Sequence, residues 1–497
     1  MPHPTFVREG ALFFDKHWAD LSALLEASKG SLSKPHFAGG PRAVRITSHA
    51  DLPKLRLQTF SRFKFCALAD VSRFFPSVYT HTIPWAINGK AAAKKDRQYN
   101  SAAVYGNRLD FIARQSQDGQ TIGIPVGPDT SRVTSEIILA AVDKAFERRS
   151  KGRKLVYLRH VDDYWIAGNS FEECERQLQN LRLALHEYEL ALNEFKTKIV
   201  STNVVFGESW PTEFEREIKE ALSPSAKEAN TVAILSKIVD RATGANDDGM
   251  IRHAIRKVDD NKLWAANWSV LEHFLAQCAI QFSHSFDYVA RVVAWRERTG
   301  QQVDKKLWKE VALSLAGQAA SLGRDSEVLW SLWLLKELDA KISRALSSLL
   351  VQNSCALVLG YLAHFFSRGL TVDTGLGKKL WDVVDGDIYA GRHWPLTLEL
   401  THLDIASPAP LHSKSIEALQ ILHKGKASLI DWDARPRVFV DEPDKPNLDG
   451  PPEHAIEDYT SDYDSDGDEN DGEEDEGDEG GGNEPPAPPL VVKLPWK

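Results

Sequence analysis

Two adjacent aspartates, Asp162 and Asp163, interrupt the otherwise apolar stretch KLVYLRHVDDYWIAG at residues 154–168. A third, Asp70, ends the apolar run FKFCALA at 63–69. Carboxylates are hard oxygen donors, and three of them converging from rigid elements suit Mg²⁺. Two such ions about 3.5–4 Å apart can activate an attacking hydroxyl and stabilise a leaving pyrophosphate, which is the chemistry of nucleotidyl transfer. Asp also favours turns for its own local reasons, so the Asp-Asp pair alone decides nothing. The question is whether the chain brings Asp70 to it.

The pattern of elements says that it does. Residues 63–69 are short, aromatic and apolar, the signature of a buried strand. A Gly- and Pro-rich loop covers 118–131, and Thr130 or Ser131 is placed to cap the helix that follows. Residues 154–168 read as two strands joined by a tight turn at Asp162-Asp163, with Val156, Leu158, Tyr164 and Ile166 alternating with other residues. An amphipathic helix is predicted over 170–190, opened by the capping-box pair Ser170 and Glu173. Strand and turn follow over 192–206. The order strand, helix, strand-turn-strand, helix, strand is that of a ferredoxin-like split βαβ unit. It sets the first strand beside the hairpin, so that Asp70 reaches the Asp162-Asp163 turn.

Four blocks in this region, ALADVSRFFPSVYTH (67–81), DGQTIGIPVGPDTSRVTSEI (118–137), RHVDDYWI (159–166) and LNEFKTKI (192–199), resemble in order motifs A, B, C and D of reverse transcriptases. The resemblance is nearest to the bacterial abortive-infection, phage-defence group and covers about residues 60–206. It implies an α+β fold with fingers-like residues 1–60, a palm at 61–210 and an α-helical, helical-repeat-like domain at 211–440; the tail at 441–497, poor in apolar residues and dense in Asp, Glu, Gly and Pro, reads as disordered. The resemblance also implies roles. Asp70, Asp162 and Asp163, with the Val71 carbonyl, would hold two Mg²⁺ ions, with Mn²⁺ as an alternative. Phe75 would pack under the sugar of the incoming nucleotide and favour dNTPs. Gly127 and Pro128 would shape the loop that lets backbone approach the nucleotide, and Ser131 and Arg132 would open a helix whose N-terminus favours phosphate. Lys196 would protonate the departing pyrophosphate, with Lys198 as the alternative. Arg42 and Arg45 are the candidate nucleotide-binding arginines of the fingers.

The sequence also departs from the common reverse-transcriptase pattern. The usual YxDD reads His160-Val161-Asp162-Asp163, and a QG pair is replaced by Val126-Gly127. The second change is characteristic of the defence group and implies synthesis that is template-independent and starts from a protein hydroxyl. The alternatives are conventional RNA-templated reverse transcription and a catalytically weak nucleic-acid-binding assembly scaffold. The resemblance further implies self-association, DNA or RNA as partner and a phage or host protein as trigger.

Composition agrees with such a partner once it is divided by position. The 497 residues carry 60 Lys+Arg against 70 Asp+Glu, but Asp441–Lys497 alone holds 20 acidic and 3 basic residues. Residues 1–200 hold 29 basic and 21 acidic ones. The tail reads as a solubilising segment or as a tethered polyanion competing with nucleic acid for the basic unit. Four scattered cysteines without a CxxC pair argue against a disulfide framework and against a cysteine zinc site. The N-terminus is a poor secretion signal, and no apolar run is long enough to span a bilayer, so the expected location is cytoplasmic, with no membrane partner. From about 212 to 430 helical stretches of 12–20 residues follow one another, with eight of the 14 Trp between 264 and 394. Trp is usually buried, so core is the expected fate of most of them.

Overall fold

The structure is a computed structural model that describes residues 4–37, 43–151, 155–204, 210–223, 225–265, 267–384, 391–407, 422 and 424–432. Arg42 and the acidic tail from residue 441 lie outside these. The described residues fall into two compact units, within Met1–Glu208 and Ser209–Glu453. The chain is mixed α+β: small antiparallel sheets in the first unit and helices throughout the second.

The first unit opens with helix α1, Pro4–Glu26, which buries Phe13, Leu21 and Leu25 on one face. A two-residue strand pair, His36–Phe37 with Val44–Arg45, leads to helix α2, Leu52–Phe60. Strand β1, Phe65–Asp70, comes next. Four short helices between Phe74 and Gln115 connect it to the long helix α3, Asp129–Arg149. Strands β2, Tyr157–His160, and β3, Asp163–Gly168, form the hairpin. Helix α4, Phe171–His186, and strand β4, Lys198–Ser201, complete the unit. The sheet order is β2-β3-β1-β4, antiparallel throughout, so β1 sits between the hairpin and the last strand as the split βαβ pattern requires.

Both faces of this sheet are covered. Ala67, Ala69, Tyr164 and Ile166 face the core shared with α3 and α4. Cys66, Trp165 and Ala167 face a smaller cluster with Leu52 and Phe60 of α2. Burying each large apolar side chain stabilises by roughly 1.5–3 kcal/mol, so these two clusters, not the few ladder bonds of four- to six-residue strands, hold the sheet. The expected hairpin alternation is therefore corrected. Val156 and Leu158 are half-buried on the α2 side, while Tyr157 and Arg159 are buried on the other. The cap of α3 is corrected too. Pro128 occupies the cap position, no side chain caps the helix, and Thr130 and Ser131 lie within the first turn. The Pro128 carbonyl accepts from Ser131 and Arg132 N–H instead. The capping box of α4 forms with a shift of one residue: Ser170 Oγ accepts from Glu173 N–H, and Glu173 reaches back to Asn169 N–H rather than to Ser170.

Helix α3 is buried nearly all round, yet it carries Glu136 and Asp143 at 2% and 0% exposure. Seven residues apart, they lie on one face. Both meet Arg159 of β2, itself fully buried. Its guanidinium donates to Glu136 through Nη1 at 2.8 Å and Nη2 at 2.7 Å, and to Asp143 through Nε at 2.9 Å. Tyr164 Oη adds a bond to Asp143 at 2.8 Å. Burial alone would lower the Arg159 pKa, but Asp143 and Glu136 outweigh it and hold the group well above its usual value.

The second unit contains eleven α-helices among the described residues, from Trp210–Ala221 to Trp394–His402, around a main apolar core that runs from Phe214 to Leu400 and a smaller cluster at Trp394 and Leu398. Seven of the eight tryptophans between 264 and 394 are buried, and Trp330 packs edge-on against Trp333. Two of the deepest indole N–H groups have carboxylate partners: Trp264 donates to Asp259 at 2.7 Å and Trp308 to Glu272 at 3.0 Å. These rings are core rather than the lining of a groove. Among the described residues no helix is long and apolar enough to cross a membrane.

Replacing Arg159 by Met should leave Glu136 and Asp143 buried without a counter-charge. Urea unfolding of the first unit should show a loss of about 3–5 kcal/mol.

Candidate active site

Strand register brings the three aspartates to one end of the sheet. Asp70 and Asp163 are directly opposed at the last pair of the β1–β3 ladder, on the sheet face that also carries Leu68 and Trp165. Asp162 precedes them in the hairpin turn, and its carbonyl accepts from Val71 N–H at 3.2 Å. Residues 191–193 clamp the same end of β1 from the other side: Ser72 N–H donates to Ala191 at 2.8 Å and Asn193 N–H to the Asp70 carbonyl at 2.7 Å. Like charges opposed across a ladder repel, so a site of this kind costs stability.

Lys196 supplies the positive charge nearest to Asp70. The Asn193 carbonyl accepts from Lys196 N–H, Thr197 N–H and Thr197 Oγ1, which folds the segment into a tight turn. That turn brings Lys196 Nζ to 3.0 Å from Asp70 Oδ1, with two thirds of the lysine side chain still exposed. The hydrogen bond to Asp70 raises the Lys196 pKa, so the ammonium stays protonated. Lys198, by contrast, begins β4 and is exposed. Burial pushes the Asp162 carboxyl up to about 6, with the Asp70 charge adding to it. It pushes Asp163 up to about 7, with Asp162 and Asp70 adding.

Phe75 is half-buried beside Phe74, ring centroids 5.3 Å apart, and its carbonyl accepts from Ile124 N–H at 3.0 Å. Two more bonds, Gly123 N–H to Val78 and Thr80 N–H to Thr121, stitch this segment to the Gly-rich loop. In that loop Val126 is exposed, and Gly127 has φ 121°, a backbone conformation open to Gly and strained for other residues. Ser131 is buried in the first turn of α3. Arg132 lies in electrostatic reach of His49 and His160, whose rings meet at 4.5 Å. His160 is buried, bonds the Thr47 carbonyl through Nε2 at 2.9 Å, and is pushed toward the neutral form chiefly by burial. Arg45 is exposed on its short strand.

Two features of the site are missed when the sequence alone is read. One is the Arg159 pair, whose signal is an Arg inside an apolar strand together with two acids seven apart in an apolar helix. The other is the conformation of Val161, a β-branched residue at φ 51°, where such residues are genuine outliers. Its N–H donates to Ser33 Oγ at 2.6 Å and its carbonyl accepts from Arg159 Nη1 at 3.1 Å.

The donor chemistry of Asp70, Asp162 and Asp163 fits a hard divalent cation: three carboxyls sharing one lysine, two of them pushed toward the protonated form. As placed, they are not gathered on one point. Among the described residues no group of three His, Cys, Asp or Glu side chains is arranged to hold a metal ion.

No protein-family model and no curated protein matches the chain. Among solved structures, a telomerase from Candida albicans in complex with a TWJ fragment of telomeric RNA is similar at 10% identity and a TM-score of 0.27. The match covers 67% of this chain and 54% of that one, so the chain spans about half the length of the telomerase chain. A likeness this slight bears on neither fold nor function.

The acid shifts fix a sign. Asp162 and Asp163 bind protons more tightly folded than unfolded, so their contribution to stability is full below about pH 4 and is lost as pH rises through 6 and 7. In EDTA at pH 8, Asp163→Asn should therefore raise the urea midpoint, on the order of 1 kcal/mol of stabilisation, and the gain should vanish at pH 4.

Proposed function

We infer that the protein is a Mg²⁺-dependent DNA polymerase of reverse-transcriptase type, acting in bacterial antiphage defence. The observation that carries this reading is the register of β1 against β3, which opposes Asp70 and Asp163 beside Asp162, with Lys196 set on Asp70 by the turn at Asn193. The four ordered blocks that resemble motifs A to D support it. The split βαβ order of the sheet suits a palm. The defence role, template-independent and protein-primed synthesis, self-association and a phage or host trigger rest on the resemblance to the abortive-infection group.

In this reading Asp70, Asp162, Asp163 and the Val71 carbonyl would hold two Mg²⁺ ions, which would supply an activated hydroxyl and charge neutralisation at the departing pyrophosphate. The chain's own residues do the rest. Val71 N–H on the Asp162 carbonyl and Asn193 N–H on the Asp70 carbonyl fix where the carboxyls start from. Lys196 carries a proton that Asp70 keeps in place until a phosphate oxygen takes it. Phe75, pinned by Phe74 and by Ile124 N–H, presents its ring to the sugar and rejects a 2′-hydroxyl by contact.

The test is incorporation of labelled dNTPs by the purified full chain with Mg²⁺, with and without primer–template. The product is then sequenced and assayed for covalent attachment to protein. DNA synthesis that falls by ~10²-fold or more in Asp162→Asn/Asp163→Asn is the expected result, from loss of charge stabilisation at the reacting phosphate. Equal inertness of parent and variant, under both conditions, sinks the enzymatic reading. Products that copy a defined RNA would move it to conventional reverse transcription. Phe75→Ala should also raise rNTP use relative to dNTP by roughly tenfold or more, since a steric block of about 1–3 kcal/mol is removed.

A further inference from the structure

The segment Ser28–Ser33 has no place in the motifs, yet it runs along the hairpin that carries Asp162 and Asp163. Arg159 N–H donates to the Gly30 carbonyl at 2.7 Å and Leu32 N–H to the Arg159 carbonyl at 2.7 Å, so the segment pairs in parallel with β2. Gly30 is required there, because a Cβ would run into the Tyr157 ring. Three serines on the segment are buried: Ser28, Ser31 and Ser33 at 1%, 8% and 3% exposure. Each hydroxyl has a specific partner. Ser28 Oγ donates to Asp143 and Ser31 Oγ to Glu136, the two acids that hold Arg159. Ser33 N–H donates to Ser31 Oγ at 3.1 Å, which fixes Ser33 in turn.

Ser33 Oγ then accepts the Val161 N–H at 2.6 Å, while Arg159 Nη1 holds the Val161 carbonyl. Both polar groups of a left-handed, β-branched residue are thus gripped, immediately before Asp162. Left to itself Val161 would relax to a right-handed or extended conformation and rotate the 161–162 peptide, and with it Asp162, whose carbonyl accepts from Val71 N–H. We propose that Ser28–Ser33 is a strap that holds the Asp162-Asp163 turn in its strained conformation, with Ser33 as the positioning residue for the aspartates. Its consequence for catalysis rests on the polymerase reading; its grip on the turn does not.

Two readouts on the full-length chain separate these. Deuterium exchange in the hairpin peptides covering 157–166 reports the turn directly. Ser33→Ala should speed exchange there about tenfold, with a urea midpoint close to the parent's, as expected when one bond rather than the fold is lost. In the incorporation assay Ser33→Ala should lower kcat roughly tenfold with the KM for dNTP changed less than about threefold, because the aspartates are misplaced only in the reacting geometry. Glycine enters the left-handed region freely, so in a Val161→Gly background the same Ser33→Ala change should cost about twofold or less. Unchanged exchange in Ser33→Ala overturns the strap. An unchanged kcat, or an equal kcat loss in the Val161→Gly background, overturns its positioning role. A parent chain that makes no DNA while Ser33→Ala still frees the turn would refute the polymerase reading and leave the strap standing.

Discussion

A buried guanidinium is tolerated only where its charge is matched and its donors are used, and that requirement organises the first unit. Arg159 brings with it two acids from the central helix, a tyrosine hydroxyl and two serine hydroxyls. Three elements far apart in sequence, residues 28–33, α3 and the hairpin, must therefore arrive together or leave charges unpaired in a dry interior. Such a pair contributes little net stability compared with an apolar substitute. What it supplies is direction: a planar fork fixed at both ends, with Nη1 still available for the Val161 carbonyl. The turn that presents Asp162 and Asp163 is in this way tied to the least compliant group in the unit.

That rigidity is needed because the site works against the fold. Three carboxyls share one exposed lysine, and burial and mutual repulsion push two of them toward protonation. A relaxed hairpin would splay the aspartates and let water screen them. The ladder between β1 and β3, the Asn193 clamp on Asp70 and the grip on Val161 each oppose one route of escape. Instability concentrated at one end of a sheet, and held there by an over-determined backbone, is the usual cost of a site prepared for a charged ligand.

The parts legible in the sequence are those whose signals are local. The apolar run ending at Asp70, the Asp-Asp turn and the Ser170 cap each need only a few neighbouring residues, and the order of strands and helices then restricts the sheet to few arrangements. The signals that mislead are also local. Thr130 and Ser131 are good capping residues, but Pro128 sets the start of α3 and its carbonyl takes their place. Alternation along β2 suggests one buried face, whereas α2 on one side and α3 on the other bury both. Residues 4–26 carry an apolar repeat at helical spacing, Phe6, Phe13, Leu21 and Leu25, whereas residues 28–33 carry no such signal, because their contribution lies in pairing with a strand about 130 residues later. No window of sequence contains both halves of the Ser33–Val161 bond, so its placement comes only from the folded chain.

Lys196 shows how far the arrangement constrains the proposed reaction. Its ammonium cannot keep neutralising Asp70 after giving a proton to a leaving phosphate, since the amine left behind carries no charge. The side chain is two thirds exposed and held by one partner, so leaving Asp70 needs no repacking, only a replacement charge on that carboxylate. Phe195 beside it is fully exposed and makes no claim on the turn, while Thr197 and the Asn193 carbonyl hold the backbone on the other side. In the proposed reaction the lysine would therefore reach the phosphate from a fixed backbone. Asp70, opposed to Asp163 and clamped by Asn193, would in that reaction be the point at which an incoming positive charge replaces the one the lysine gives up.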